Sequence, residues 1–287
     1  MIQAFRPGDE AYPAALLDLS HAPDPIYAIG ATGLLARGPE RTVAIVGTRE
    51  ATPYGMRVAA DLAIAFGRAG FLVVSGLARG VDSAAHRGAL GSAGGTVAVL
   101  GTGVDIPYPA GNRALHAAVC GQGLALSEME PGSPAGPGCF PRRNRIIAAL
   151  AKVTIVVEAG FKSGAINTAS QAMELGRTVA AVPGSIHSPQ SRGANLLVRD
   201  GAQVITSVDD ALQLYGVSGN ETVDPVGLDE NEGKVWAGLG SGAAPVDELV
   251  ARTGLPVRQV VAATAGLELK GLVEELVAGE IRRRSQA

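Results

Sequence analysis

The chain predicts an α/β fold, a mostly parallel sheet wound on both faces, with a small helical domain behind it. Three features carry that reading. Short β-branched runs alternate with longer amphipathic ones along most of the sequence. The 39 glycines point to many tight turns or close backbone approaches. Aromatic content is only 4%, so the core must be built from Ala, Val, Leu and Ile. A hydrophobic fraction of 47% against 18% charged residues specifies folded, well-buried material rather than disorder.

Residues 1–40 contain "YPAALLDLSHAPDPIYAIG", whose prolines at 13, 23 and 25 break any long helix, so this stretch is expected to be a lead-in packed on the core. From Val43 the runs "VAIVG", "FLVVSG", "TVAVLG", "LALSE", "VTIVVEAG", "TVAAVPG" and "AQVITS" read as strands. Between them lie helical stretches, from Tyr54 to Ala69 and through "DSAAHRGAL" and "TASQAMELG". Strands made of continuous Val, Ile and Ala are buried on both faces, which predicts a Rossmann-like, doubly wound domain over residues 41–216.

Residues 217–228 are polar and rich in Gly and Pro, as a linker would be. In the tail, 229–287, a helix begins at Pro245 and ends at Gly254, and the next begins at Pro256. That short turn resembles a helix-turn-helix, and a closing two-stranded turn around Ala278 and Gly279 would make it a winged helix. Its presumed recognition helix offers only Arg258 and Gln259 near its start, with several acids nearby, so DNA binding and a purely protein-directed role both stay open.

A formal net charge of −3 gives no global attraction to a polyanion, so any nucleic-acid partner must be met by a local patch. Cys120 and Cys139 have neither CxxC spacing nor a matching histidine pair, so neither a disulfide framework nor a metal site is expected. The N-terminal "MIQAFRPGDEAYPAALL" lacks the pattern of a signal peptide, and no apolar run approaches the roughly 20 residues that a bilayer requires. A cytoplasmic protein with no membrane partner is the expectation.

In open α/β sheets, ligands bind beyond the carboxyl ends of the strands. Four glycine-bearing loops are placed there: "GTREAT", "SGLARGVD", "GTGVDIPYP" and "EAGFKSGAINT". Free N–H groups at such turns favour an anion, so the backbone at Gly47, Thr48, Ser75, Gly76, Gly101 and Gly103 forms candidate phosphate seats. A dinucleotide is disfavoured, because Arg49 and Thr52 stand where its fingerprint needs glycines, and no GxxxxGK[ST] exists. No cofactor is therefore expected. Arg49 and Arg79, together with Arg142, Arg143, Arg145 and Lys162, are expected to form one basic pocket on the sheet edge. Asp82 is expected to cap its helix and His86 to hydrogen-bond locally, because the sequence places no third partner for acid–base chemistry beside them. Glu128 and Glu158, at strand ends, are expected to pair with the arginines.

The stretches "AIVGTREATPYG", "VVSGLARGVDSAAHRGAL", "GGTVAVLGTGVDIPYPAGN", "LALSEMEPGSPAGPGCFPRRNRIIAAL", "VVEAGFKSGAINTASQAMELGR" and "VPGSI" occur in the order shown by the DprA/Smf family, which the chain resembles from Tyr12 to about Leu214. The tail resembles the winged helix that many members carry. The resemblance implies a non-enzymatic protein of natural transformation that binds single-stranded DNA, protects incoming strands, loads the RecA recombinase and forms a homodimer. Single-strand-binding protein is a further implied partner. Carried over, the DNA pocket uses Arg49, Phe140, Arg143, Asn144, Lys162, Ser163 and Gly164. Arg145 is expected to turn inward and brace a neighbouring loop, and Arg142 departs furthest from the pattern. Ala110 and Pro137 stand where some members have lysine, with Arg113 and Arg142 nearby to compensate. The N-terminal helical domain of longer members is not represented. A different class, a phosphoribohydrolase acting on nucleoside monophosphates, would use Glu128 or Glu158, yet its "PGGxGTxxE" signature is missing.

Overall fold

The computed structural model describes residues 1–217, 228–240, 243–276 and 279–283. The expected linker lies almost wholly outside the described residues, as does Ala278 of the expected closing turn. The chain divides into two compact units, Met1–Gly219 and Asn220–Ala287.

In the first unit the strands are β1 (Gln3–Phe5), β2 (Ile26–Gly30), β3 (Thr42–Val46), β4 (Leu72–Ser75), β5 (Thr96–Leu100), β6 (Leu124–Ser127), β7 (Val153–Val156), β8 (Thr178–Ala181) and β9 (Gln203–Val204). The helices are α1 (Pro53–Arg68), α2 (Val81–Ala89), α3 (Arg113–Gln122), α4 (Cys139–Leu150), α5 (Gly164–Glu174), α6 (Arg192–Arg199) and α7 (Val208–Gln213). The strands form one sheet in the order β1-β2-β6-β5-β4-β3-β7-β8-β9. From β6 to β9 every pairing is parallel. Every residue of β3, β4, β5, β6 and β7 is buried, as continuous apolar runs covered on both faces must be.

One apolar cluster joins α4, α5, α6 and the lead-in to Val74, Val97 and Val99; another joins α1, α2 and α7 to Val43, Ile45 and Val73. Helix α1 starts cleanly: Thr52 Oγ1 accepts from Gly55 N at 3.1 Å, and Pro53 occupies the first turn. Its inward face seats Leu62 and Phe66, each contributing about 1.5–3 kcal/mol of burial.

The lead-in does more than pack. β2 pairs antiparallel with β6, and β1 with β2, extending the parallel sheet by two strands. A three-residue strand among prolines leaves too little alternation to read from sequence.

The chain leaves β3 first toward β4, β5 and β6, then returns to its other side through β7, β8 and β9. The order therefore reverses between β3 and β7, and a crevice must open beyond their carboxyl ends.

The second unit comprises α8 (Glu230–Leu239), β10 (Ala243–Pro245), α9 (Val246–Thr253), α10 (Val257–Leu269), β11 (Val273–Glu275) and β12 (Glu280–Arg283). Asp229 and Glu232 form a reciprocal capping box at α8, both bonds at 2.8 Å. Pro245 is the residue before α9 rather than its first, and Gly254 ends that helix as expected. The small sheet, ordered β10-β12-β11, closes the unit as a winged helix around Val235, Trp236, Leu249, Val260 and Leu267.

Candidate nucleic-acid interface

A cleft of about 700 Å³ opens where the sheet order reverses, between the β3–α1 and β7–α5 loops, with the first turn of α4 across it. Arg49, Arg79, Phe140, Arg143, Asn144, Lys162, Ser163 and Gly164 all line it. Arg142 and Arg145 do not.

Glu128 explains that separation. Its Oε2 receives Arg145 at 2.5 Å and Arg142 at 3.0 Å. Arg145 also donates to the carbonyl of His21 at 2.8 Å, so it ties α4 to the lead-in loop and turns inward. Arg142 stays exposed beside the same carboxylate, so the basic pocket expected to hold Arg142 and Arg145 contains neither.

Arg143 occupies the floor rather than the rim. It is 5% exposed, and its guanidinium donates to the carbonyl of Val99 at the end of β5. Gly76 leaves the space it fills, since a Cβ there would collide with the guanidinium. Burial pushes the Arg143 pKa down to about 10, with Asp82 opposing that shift and Arg49 adding to it.

The loop after β4 is held from within. Gly76 N and Ala78 N donate to Asp82 Oδ2 at 3.2 and 3.4 Å, and between them Leu77 N donates to His86 Nε2 at 3.3 Å. Leu77 has φ of 55°, a conformation costing a non-glycine residue about 1 kcal/mol or more, which these bonds stabilise. Asp82 thus does not cap α2, whose N-cap is Gly80; it reaches back and fills the backbone nest that a phosphate would otherwise take. Burial raises the Asp82 pKa, against the pull of Arg143. His86 bonds locally as expected: Nδ1 lies 2.7 Å from Thr96 Oγ1, whose hydroxyl donates to Val73 O at 2.9 Å. With Nε2 accepting, Nδ1 carries the proton, and burial lowers the imidazole pKa to about 3.

Two other expected seats are likewise engaged. Thr48 N donates to Glu158 O at 2.6 Å, and Gly103 N to Ser133 O at 2.8 Å. Ser75 Oγ donates to Ile45 O at 2.6 Å. Gly101 packs under Phe140, where a Cβ would come within 2.9 Å of the ring. Glu158 pairs with no arginine among the described residues: its carboxylate accepts from Thr52 N at 2.9 Å and Thr52 Oγ1 at 2.7 Å, fixing the β3–α1 turn. Asn144 donates to Gly164 O at 3.2 Å and Asn167 Oδ1 at 3.1 Å, clamping α4 to α5.

What stays available is the rim. Arg49, Arg79 and Lys162 are exposed, and no carboxylate among the described residues pairs with them. Ser163 caps α5, accepting from Ala165 N at 3.3 Å, so the positive end of that helix faces the cleft at Gly164. Arg49 lies 5.1 Å from the centroid of half-buried Phe140, and the Tyr108 ring lies 5.1 Å from the same ring, tilted by 30°.

Tyr108 and Phe161 are rim aromatics that sequence reasoning missed, 41% and 60% exposed. A signal existed: in a chain with few aromatics, each sits on a glycine-bearing loop beyond a strand end. The two thiols are free, and among the described residues no His, Cys, Asp and Glu cluster could hold a metal. No helix among them is long and apolar enough to cross a membrane.

The sequence matches the family model described as DNA recombination-mediator protein A over residues 3–216, and the DprA winged helix domain over residues 220–279. It is 45% identical over 262 residues to a DNA processing protein DprA of Mycobacterium tuberculosis, covering 88% of this chain and 67% of that one. Its fold is similar to the crystal structure of DprA from Streptococcus pneumoniae, with a TM-score of 0.70, 39% identity and 74% of each chain covered. It is also similar to DNA processing protein A from Helicobacter pylori, a structure described for its single-stranded DNA binding mode, with a TM-score of 0.67, 31% identity, and 75% and 95% of the two chains covered. Matched in both of its units, and carrying the motifs in their order along the sheet, the chain belongs to the DprA/Smf family.

Proposed function

We propose that this protein binds single-stranded DNA in the cleft at the β3/β7 reversal and acts there as a recombination mediator rather than an enzyme. One observation carries the reading: three exposed cations without carboxylate partners among the described residues line a cleft together with the Phe140 ring, and one of them, Arg49, lies beside that ring. Arg49, Arg79 and Lys162 take phosphates, the N-terminal turn of α5 at Ser163 and Gly164 takes another oxygen, and Phe140 offers a base its face. Arg143 and Asn144 hold the shape of the site from beneath. Phosphate therefore falls to side chains and to α5 rather than to the loop N–H groups of Thr48, Gly76 and Gly103. The Helicobacter pylori relative supports the ligand class.

Labelled oligo(dT) titrated at several salt concentrations tests this. Three cations give a slope of log K against log salt near −2, at about −0.7 per phosphate. Absence of binding at low salt rejects the reading. Glu128 and Glu158, the carboxylates a nucleotide hydrolase would need, are committed to Arg142, Arg145 and Thr52, so incubation with AMP is expected to release no adenine.

The biological step we infer from the family is protection of incoming strands and loading of RecA onto them, in the cytoplasm, by a homodimer, with single-strand-binding protein as a further partner. RecA filament assembly on strands coated with single-strand-binding protein measures it: addition of this protein shortens the lag, and the Arg49→Ala variant does not.

A further inference from the structure

Beyond the cleft, the sheet carries one more loop at its carboxyl edge, between β8 and α6. Asn195 clamps it, accepting from Gly184 N at 3.0 Å and donating to Gly184 O at 2.9 Å. Gly193 N donates to Ala159 O at 2.7 Å, and a Cβ on Gly193 would come within 2.6 Å of Gly160 O, so this loop lies directly against the β7–α5 loop. That contact sets Arg192, the first residue of α6, 5.8 Å from the centroid of Phe161. Phe161 is 60% exposed, lines the cleft beside Lys162, and shows no other ring partner among the described residues. A large exposed ring held next to a cation, on a braced backbone, is the arrangement that binds an unpaired base and its phosphate together.

We propose that Phe161 and Arg192 form a second stacking station, which takes an unpaired base and the adjoining phosphate of the same DNA strand after it leaves the Phe140 end of the cleft. This rests on the cleft being a single-strand site. Along the sheet edge the loops follow the order β5, β4, β3, β7, β8, so Tyr108, Arg79, Arg49, Lys162 with Phe161, and Arg192 are met in turn. Four strand spacings separate the first from the last, about 19 Å. The strand therefore runs across the strand ends rather than along one loop, and rings stand toward both ends of the cationic row.

The test uses the full chain and oligo(dT) of increasing length, from about four to about sixteen nucleotides, the range of single-strand sites. Anisotropy compares the native protein with Phe161→Ala, Phe161→Leu, Phe161→Trp and Arg49→Ala. The affinity lost by Phe161→Ala is expected to grow with length and reach roughly five- to hundred-fold on the longest strands. Phe161→Trp restores that affinity, whereas Phe161→Leu, apolar but without a ring, does not. Quenching of 2-aminopurine placed along the strand is expected at one position that Phe161→Ala alone relieves. Equal affinity of Phe161→Ala and native protein at every length overturns the station, as does rescue by leucine; if Arg49→Ala still loses binding, the cleft reading stands. Failure of the native protein to bind any oligo(dT) overturns both.

Discussion

Two regions of this chain occupy positions from which proteins meet nucleic acid, and their side chains differ sharply. The cleft at the sheet edge presents Arg49, Arg79 and Lys162 without carboxylate partners among the described residues. In the winged helix nearly every described cation is engaged. Lys234 pairs with Glu230, Arg252 with Glu248, Lys270 with Glu232 and Arg282 with Glu274, while Arg283 lies 4.1 Å over Trp236. The outer side of α10, the helix in the recognition position, exposes Val257, Val261 and Leu269 with Arg258. A fold supplies a place for contact, but affinity for phosphate comes from charges not already neutralised.

The largest effect concerns what lies beneath the cleft, where the chain buries an arginine. Replacing Arg143 by Met leaves Asp82 buried without its compensating charge. Leaving a buried carboxylate without its compensating charge costs about 3–5 kcal/mol, and denaturant unfolding of Arg143→Met, which also removes the bond to Val99 O, is expected to show a loss of that order. A loss below about 1 kcal/mol would mean that the floor arginine is free to serve DNA directly.

Next in size is the rim. The double variant Arg49→Ala, Lys162→Ala is expected to weaken oligo(dT) binding at least tenfold and to flatten the salt slope from near −2 to about −0.7, while leaving the melting temperature nearly unchanged. The combination separates rim from floor: one loses charge toward the ligand, the other loses the site.

How much of this was legible in the sequence follows the same division. Buried parallel strands announce themselves as runs such as "VAIVG" and "VTIVV", and glycine loops with arginine mark the sheet edge. β1 and β2 gave no such signal, being short, antiparallel and flanked by prolines. Among the site residues, sequence identifies an arginine but not what lies under it. Arg143 points inward because Gly76 leaves room and Asp82 lies near, while two residues later Arg145 points to Glu128. The backbone seats at Thr48, Gly76 and Gly103 are engaged for a related reason: whether an N–H is free depends on partners such as Asp82 and the Glu158 and Ser133 carbonyls, brought there by tertiary structure.

The buried imidazole gives a pH signature that only the cleft-bearing unit can show. His86 is neutral in the native state, with a pKa of about 3 against 6.5 when unfolded. The unfolded chain therefore binds a proton that the native state refuses, and stability falls as pH drops from about 6.5 toward 3, by up to about 1.4 kcal/mol per unit. Asp82, whose pKa burial raises, acts in the opposite sense once its own range is reached, because the native state then binds its proton first. Urea titrations between pH 7 and 5, compared between the native protein and a His86 variant, isolate the histidine. His86→Gln is expected to be less stable at pH 7 but to show a flatter dependence, and an unchanged slope would place the titrating group elsewhere.

The smallest expected effect is the sharpest test of the comparison itself. Arg258 is the one described cation of the winged helix for which the structure shows neither a carboxylate nor a ring, and it stands in the first turn of α10. One exposed arginine can neutralise one phosphate, against three in the cleft, and α10 opposes it with Glu268 on its last turn. Arg258→Ala is therefore expected to change oligo(dT) affinity by less than about twofold and the salt slope by less than about 0.7. If it instead weakens binding as much as the Arg49 and Lys162 pair, then the winged helix contributes DNA contacts through a surface whose charges are almost all engaged. The valines at 257 and 261 would then have to meet bases rather than protein. An unchanged affinity leaves that apolar helix side as the property of this unit that single-stranded DNA does not use.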